Sequence, residues 1–214
     1  FAAGTYKRRI KFIQIPTSLM AQVDSSIGGK TGVNHSSGKN LIGMFYQPAA
    51  VLIDPLTLKT LPKREFANGM AEVIKAAVIK DAQLFRLLAN KHSQIIELNP
   101  AVLEEMLVCT IMVKKNLVEQ DEYDTKGKRI LLNYGHTIGH ILESLGQYRH
   151  YKHGEAVAIG MMTAARIACQ MGLIEKDFIG QQAVILKMYK LPVAPKKPIR
   201  FSQAVKFLSQ DKKI

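Results

Sequence analysis

The repeat pattern of the chain changes at Leu61-Pro62, and that change limits the folds open to it. From residue 63 to 80 apolar side chains recur at helical spacing, which predicts a long helix. Pro62 suits the first turn of that helix, where a missing N–H costs nothing. Leu103, Met106, Leu107, Thr110, Val113 and Leu117 mark a second helical stripe, and the spacing predicts further helices over 135–145, 155–171, 178–189 and 201–208. Before the break the signals are those of strands and turns. Residues 10–15 alternate as a short strand closed by Pro16, 18–23 read as one or two helical turns, and 50–53 read as an apolar strand closed by Asp54-Pro55. Gly28-Gly29-Lys30-Thr31-Gly32 and Ser36-Ser37-Gly38-Lys39-Asn40 predict two loops in which glycine lets the backbone approach a neighbour closely. Pro192, Pro195 and Pro198 predict a stiff connector, and the chain carries no internal repeat. The expectation is an α+β chain: residues 1–60 form the edge of an α/β region, and residues 61–214 form a mainly α-helical domain.

Composition sets the class. At 214 residues and 47% hydrophobic, with 22% charged residues, the chain can bury a sizeable core, and its mean hydropathy of 0.00 is that of soluble globular protein. No apolar run approaches the ~18 residues that a membrane span needs, so no membrane partner is expected. Two cysteines, Cys109 and Cys169, cannot build a disulfide framework; both lie in apolar helical patterns and predict buried thiols in a reducing, cytoplasmic compartment. Thirty basic residues against seventeen acidic ones leave +13, which points to an anionic partner or to a merely basic, solvated surface. Nucleic acid is disfavoured, because the basic residues are scattered, tryptophan is absent and no aromatic stripe is available for stacking bases. A small anionic substrate fits better. The chain opens at Phe1 without methionine or leader character and ends at Asp211-Lys-Lys-Ile214 without a helix stop, which predicts an internal piece of a longer protein.

The densest concentration of chemistry is Asn133-Tyr-Gly-His136-Thr-Ile-Gly-His140, followed by His153-Gly-Glu155-Ala. Histidines four apart share one face of a helix. Two glycines in a helical pattern cost roughly 1 kcal/mol each, so something must need their lack of bulk. An isolated histidine pair reads as two hydrogen-bonded rings in a helix bundle, but the third histidine shifts the reading toward a metal. Imidazole suits zinc or cobalt, and a carboxylate from elsewhere would complete a set that leaves a position open. Glu72, in Gly69-Met-Ala-Glu72-Val-Ile-Lys75, is a candidate, although a lone glutamate in a helical pattern more often faces solvent. Spacing alone selects His136 and His140 as the ligand pair. The stretch from Val23 to Thr31 is similar to a phosphate cradle but lacks the full P-loop spacing.

Taken in series, the motifs resemble one family. Arg9-Ile-Lys-Phe-Ile-Gln-Ile-Pro-Thr17, Gln22-Val-Asp-Ser-Ser-Ile-Gly-Gly-Lys-Thr31, Gly38-Lys-Asn-Leu-Ile-Gly43, Phe45-Tyr-Gln-Pro48, Leu58-Lys-Thr-Leu-Pro62, Glu72-Val-Ile-Lys75, Leu132-Asn-Tyr-Gly-His-Thr-Ile-Gly-His140 and His153-Gly-Glu-Ala-Val157 resemble 3-dehydroquinate synthase, in its order and across nearly the whole chain. The resemblance implies a fragment that lacks the family's N-terminal NAD-binding half and its C-terminal tail. Residues 1–60 would then be the last part of the nucleotide domain. The family's lyase reaction takes 3-deoxy-D-arabino-heptulosonate 7-phosphate to 3-dehydroquinate and phosphate in the shikimate route to aromatic amino acids. NAD transiently oxidises a hydroxyl, phosphate leaves by β-elimination, the hydride returns, and an aldol step closes the ring.

Carried over by motif, the resemblance implies Zn²⁺, or Co²⁺, held by Glu72, His136 and His153, in place of the pair that spacing selects. His140 then serves substrate and proton relay beside the leaving phosphate. Lys75, Lys114 and Asn133 would bind the carboxylate and hydroxyls, while Lys30, Asn40 and Arg129 grip anionic groups and Lys212 or Lys213 closes over the phosphate. Asp24, Lys39, Thr60 and Leu61 would touch NAD. Arg8 resembles an arginine given to a partner subunit's site, which implies a homodimer. Two departures stand out: Arg9 occupies a position where the family commonly has glycine, and the segment from Asp121 to Arg129 is one residue longer than the usual pattern. The second leaves Asp124 as a candidate for orienting substrate or the neighbours of the metal, while Arg129 is anchored by the following Leu-Leu-Asn. The rival readings are another sugar phosphate cyclase, a metal-dependent polyol dehydrogenase that would release NADH, and a non-enzymatic nucleic-acid-binding module.

Overall fold

A computed structural model describes residues 1–35, 38–147, 149–198 and 204–205, with the backbone alone at 34 and 38–40. Of the predicted helix over 201–208 only residues 204–205 are described, and they are helical; the candidate residues Lys212 and Lys213 lie outside the described residues, as do the side chains of Lys39 and Asn40. The chain folds as a small amount of sheet followed by a helical body.

The helical body is built around α2 (Lys63–Lys80), which starts after Pro62 as the sequence predicts. Phe66 and every residue from Asn68 to Ala77 are buried, so this helix has neighbours on all sides rather than one apolar stripe. It ends at Asp81, whose carboxylate accepts the Gln83 and Leu84 amides at 2.9 Å each and caps α3 (Ala82–Asn90). After the short α4 (His92–Ile96), Asn99 caps α5 (Pro100–Gln120), whose buried face carries the predicted Leu103, Met106, Leu107, Thr110, Val113 and Leu117. Both α3 and α4 escaped the sequence reading: α4, at five residues, is too short to show a period, whereas Leu84, Leu87 and Leu88 do give α3 a helical stripe. Helices α6 (His136–Leu145) and α7 (His153–Gln170) pack against each other, α7 packs against α2, and α8 (Lys176–Met188) covers α7.

Glycine makes the α6–α7 contact possible. Gly135 stands just before α6 with φ +80°, a conformation that side chains disfavour. A Cβ on Gly160 would lie 1.9 Å from the Gly135 carbonyl oxygen, so α7 crosses the start of α6 at backbone contact.

Strands are confined to the first third. Residues β1 (Ile13–Gln14) and β4 (Ala50–Val51) form a parallel pair, shorter than the predicted strands over 10–15 and 50–53. The two predicted glycine loops are largely strands of one antiparallel hairpin, β2 (Lys30–His35) and β3 (Gly38–Phe45), with Gly32 opposite Gly43. Glycine within both runs hid their alternation. The predicted turn over 18–23 is a short helical segment continuing as a π turn over Ala21–Ser25, packed on α2 and α5. Cys109 and Cys169 are half-buried free thiols rather than fully buried ones, because each sits at the margin of its helix's apolar face. Among the described residues, no helix is long and apolar enough to cross a membrane.

Candidate metal centre

Three helices bring Glu72, His136 and His153 together. Glu72 lies mid-way along the buried α2, and each histidine is the first residue of its helix. One ligand atom from each lies within 4.8 Å of the others. Glu72 Oε1 stands 3.7 Å from Nε2 of His136 and 3.7 Å from Nε2 of His153, too far for hydrogen bonds. That oxygen is buried and has no hydrogen-bond partner among the described residues. A buried carboxylate oxygen without a donor is costly. Zinc bonds to imidazole and carboxylate of ~2.0–2.2 Å place tetrahedral ligand atoms roughly 3.4 Å apart, so a divalent cation fits the spacing and satisfies the oxygen.

Both rings are aimed at this point by their other nitrogen. His136 Nδ1 lies 3.3 Å from the Tyr134 carbonyl oxygen, which can only accept, so Nδ1 carries the proton and Nε2 presents a lone pair. The Tyr134 hydroxyl donates to Gln182 Oε1 at 2.9 Å and ties this segment to α8. His153 Nδ1 lies 3.2 Å from Glu143 Oε1 on α6. The Lys75 ammonium pairs with Glu72 Oε2 and donates to the Leu132 carbonyl at 2.7 Å. Burial alone would raise the Glu72 pKa, but the Lys75 charge and the two imidazoles hold it well below the usual carboxylate range. Burial, reinforced by Lys75, lowers His136 to about 4; at His153 burial acts the same way, but the hydrogen bond to Glu143 and the nearby Glu72 carboxylate outweigh it and raise it to about 9. His140 lies one turn further along α6, its ring centre 5.5 Å from that of His136 and 6.4 Å from that of His153.

The remaining candidates form a second set of contacts. Buried Lys114 on α5 reaches the Asp24 carboxylate and carbonyl at 2.5 Å each, joining a residue expected on the substrate side to one expected on the NAD side. Lys30, at the start of β2, pairs with Asp124 at 2.5 Å. Arg129 is buried; its Nη1 donates to the Glu122 carbonyl at 2.9 Å and lies 3.4 Å from that of Gly28. Asn133 is half-buried at the end of the 3₁₀ turn over Lys128–Asn133. Thr60 is exposed, Leu61 packs on the core, and Arg8 is exposed. Sequence reasoning passed over three residues that shape this region: Asp121, whose carboxylate accepts three backbone amides, Asn68 and Glu143. For Glu143 a signal existed, since intervals of four and three place His136, His140 and Glu143 on one face of α6.

Comparison with known proteins places the chain in a family. Family models described as 3-dehydroquinate synthase N-terminal and C-terminal match residues 1–68 and 69–214. A 3-dehydroquinate synthase of Prochlorococcus marinus (strain AS9601) is 49% identical over 216 residues, covering 100% of this chain and 59% of the relative. One from Desulforamulus reducens is 54% identical over 179 residues, covering 83% of this chain and 50% of the relative. Among solved structures, 2-epi-5-epi-valiolone synthase from Streptomyces hygroscopicus subsp. jinggangensis, with NAD+ and Zn2+ bound, superposes with a TM-score of 0.90 at 30% identity, over 98% of this chain and 58% of that one. A 2-deoxy-scyllo-inosose synthase complexed with carbaglucose-6-phosphate, NAD+ and Co2+ gives 0.83 at 32% identity, over 100% of this chain and 57% of that one. The chain thus spans about 59% of the length of the Prochlorococcus relative. With the two family models together matching residues 1–214 and half the residues shared with these synthases, the chain belongs to the 3-dehydroquinate synthase family.

Proposed function

We propose that this chain is the metal- and substrate-binding part of a 3-dehydroquinate synthase, a lyase that converts 3-deoxy-D-arabino-heptulosonate 7-phosphate to 3-dehydroquinate and phosphate. The observation that carries the reading is the donorless Glu72 Oε1, buried at equal distance from two imidazole nitrogens. Glu72, His136 and His153 would hold Zn²⁺ or Co²⁺. When bound, NAD supplies a reversible hydride acceptor and the cation polarises the hydroxyl oxygen that is oxidised.

The chain's own residues bind, orient and move protons. Lys75, fixed between Glu72 and the Leu132 carbonyl, presents a positive charge beside the metal ligands for the substrate's hydroxyls and carboxylate, with Asn133 next along the chain. Lys114 serves the same carboxylate and exchanges Asp24 for it. His140, adjacent to both metal-binding rings, carries a proton toward the departing phosphate. Lys30, Asn40 and Arg129 contribute positive or polar groups around the anionic ends, with Lys212 or Lys213 closing over the phosphate. Several cations in a water-poor cleft suit a doubly anionic substrate. Asp24, Lys39, Thr60 and Leu61 face NAD, Asp124 restrains Lys30, and residues 1–60 complete the nucleotide-binding domain before the helical domain over 61–214. Arg8 reaches a partner's site in a cytoplasmic homodimer.

The test is a phosphate-release assay on a protein that joins this chain to the nucleotide-binding half of its relatives. Phosphate should appear with catalytic NAD and no net NADH. Accumulating NADH would favour a polyol dehydrogenase, and turnover only with a substrate lacking the carboxylate would favour another sugar phosphate cyclase. The 214-residue chain alone should show little or no turnover.

A further inference from the structure

Helix α6 buries a carboxylate that neither the motif series nor the proposed chemistry uses. Glu143 is 5% exposed and lies between Leu142 and Ser144, two turns beyond His136. A carboxylate so placed needs a charged or hydrogen-bonding partner to offset its lost hydration. One of its partners is His153: Glu143 Oε1 accepts from the His153 Nδ1–H at 3.2 Å.

The two imidazoles at the centre are therefore held differently. A neutral carbonyl, that of Tyr134, takes the Nδ1–H of His136, whereas a carboxylate takes that of His153. A carboxylate behind an imidazole fixes its tautomer and ring plane and pushes electron density toward the far nitrogen, which strengthens that nitrogen as a ligand. The far nitrogen of His153 is the one that faces Glu72 Oε1. Another group fixes the backbone at this point: Asn68 Oδ1 accepts the Gly154 N–H at 2.6 Å, which holds the first turn of α7 against α2. The placement of His153 is thus fixed from α2 and its ring from α6.

We infer that Glu143 is a positioning residue for the metal centre: it orients His153 and raises its strength as a ligand, so that one of the two imidazoles binds the divalent cation more tightly than the other. This rests on Glu72, His136 and His153 being the ligand set. Zn²⁺ affinity is measured by competition with a chromophoric chelator for the 214-residue chain, Glu143→Gln, Glu143→Ala and His136→Ala, with circular dichroism as a check on folding. Glutamine keeps the size and an acceptor oxygen but removes the charge. Loss of such an outer partner typically weakens metal binding about 10–100-fold, and Glu143→Gln should fall near the low end of that range and Glu143→Ala near the high end. In the Co²⁺-loaded protein, the visible absorption bands of Glu143→Gln should shift from those of wild type, a change that a purely structural role would not produce. If Glu143→Ala does not fold, Glu143→Gln decides. Wild-type affinity together with an unshifted Co²⁺ spectrum in Glu143→Gln overturns the role of Glu143 while leaving the ligand set intact. Equal metal binding by wild type and His136→Ala overturns the ligand set, and this inference with it.

Discussion

Glu72 illustrates what a single residue discloses before its surroundings are known. In the sequence it is a lone acid at helical spacing, for which a solvent face is the favoured reading; the difference is that α2 has no solvent face between residues 68 and 77. Glu72 and Lys75 are the two charged residues in that stretch, three apart, and burial forces them to pair. The long segment after α5 is a second case. Asp121 Oδ1 accepts the Thr125 and Lys126 amides at 2.8 and 3.0 Å, and Oδ2 accepts that of Lys128 at 3.0 Å, so one carboxylate organises the whole turn. Burial would raise its pKa, but these amides hold it below the usual aspartate value. A depressed folded-state pKa gives stability that is present above the unfolded aspartate range and lost as pH falls through the folded value. Asp121→Asn should therefore lower Tm at neutral pH, and the gap from wild type should close as melts are taken into acid. A gap that stays constant down to pH 2 would contradict this role. Arg9 makes the opposite point. Where the family commonly carries glycine, Arg9 has φ +90° and ψ 118°, strain on the order of 1–3 kcal/mol, against about 0.5–1 kcal/mol from its guanidinium over the Tyr46 ring. Arg9→Gly should raise Tm; an unchanged or lower Tm would show that the ring contact outweighs the strain.

At the scale of elements, legibility followed length and glycine content. The span of α2 and the buried stripe of α5 could be read because each runs for several turns with an unbroken period and a proline at its start. Helix α4 is too short for that, α3 has its stripe of Leu84, Leu87 and Leu88 within only nine residues and no proline at its start, and the β2–β3 hairpin is interrupted by glycines that signal loops. The convergence of α2, α6 and α7 has no local signature, since it depends on how closely helices cross. Spacing within α6 favours His136 with His140, but the crossing of α6 and α7 brings His153 as close to His136, with ring centres 5.2 Å apart, and it is Nε2 of these two rings that faces Glu72 Oε1 at 3.7 Å each. Gly160 permits that crossing. Gly160→Ala would force a methyl onto the Gly135 carbonyl, moving the start of α6, and should destabilise the chain by about 1–3 kcal/mol and reduce metal uptake together. Thermal melts and metal analysis of this variant check both, and a stable variant with full metal content would contradict the proposed geometry.

Across the whole molecule, the apolar core lies in the helical body, while Ile10, Ile13, Ile15, Leu52 and Leu56 around the parallel strand pair are exposed. A parallel sheet is normally covered on both faces, whereas here these side chains are exposed, in a chain that spans 59% of the length of the Prochlorococcus relative. The +13 charge is only partly engaged in the centre; other basic residues are spread through surface pairs such as Arg64–Glu155, Lys152–Glu65 and Lys91–Glu105. Composition therefore left an anionic partner and a merely basic surface both open, whereas the histidine motifs hold two of the three residues that converge on the candidate metal centre. The most direct measurement is metal analysis of purified wild type and His136→Ala after exposure to Zn²⁺ and desalting. The account predicts a stoichiometric ion in wild type and little or none in the variant; the same metal content in both would contradict it.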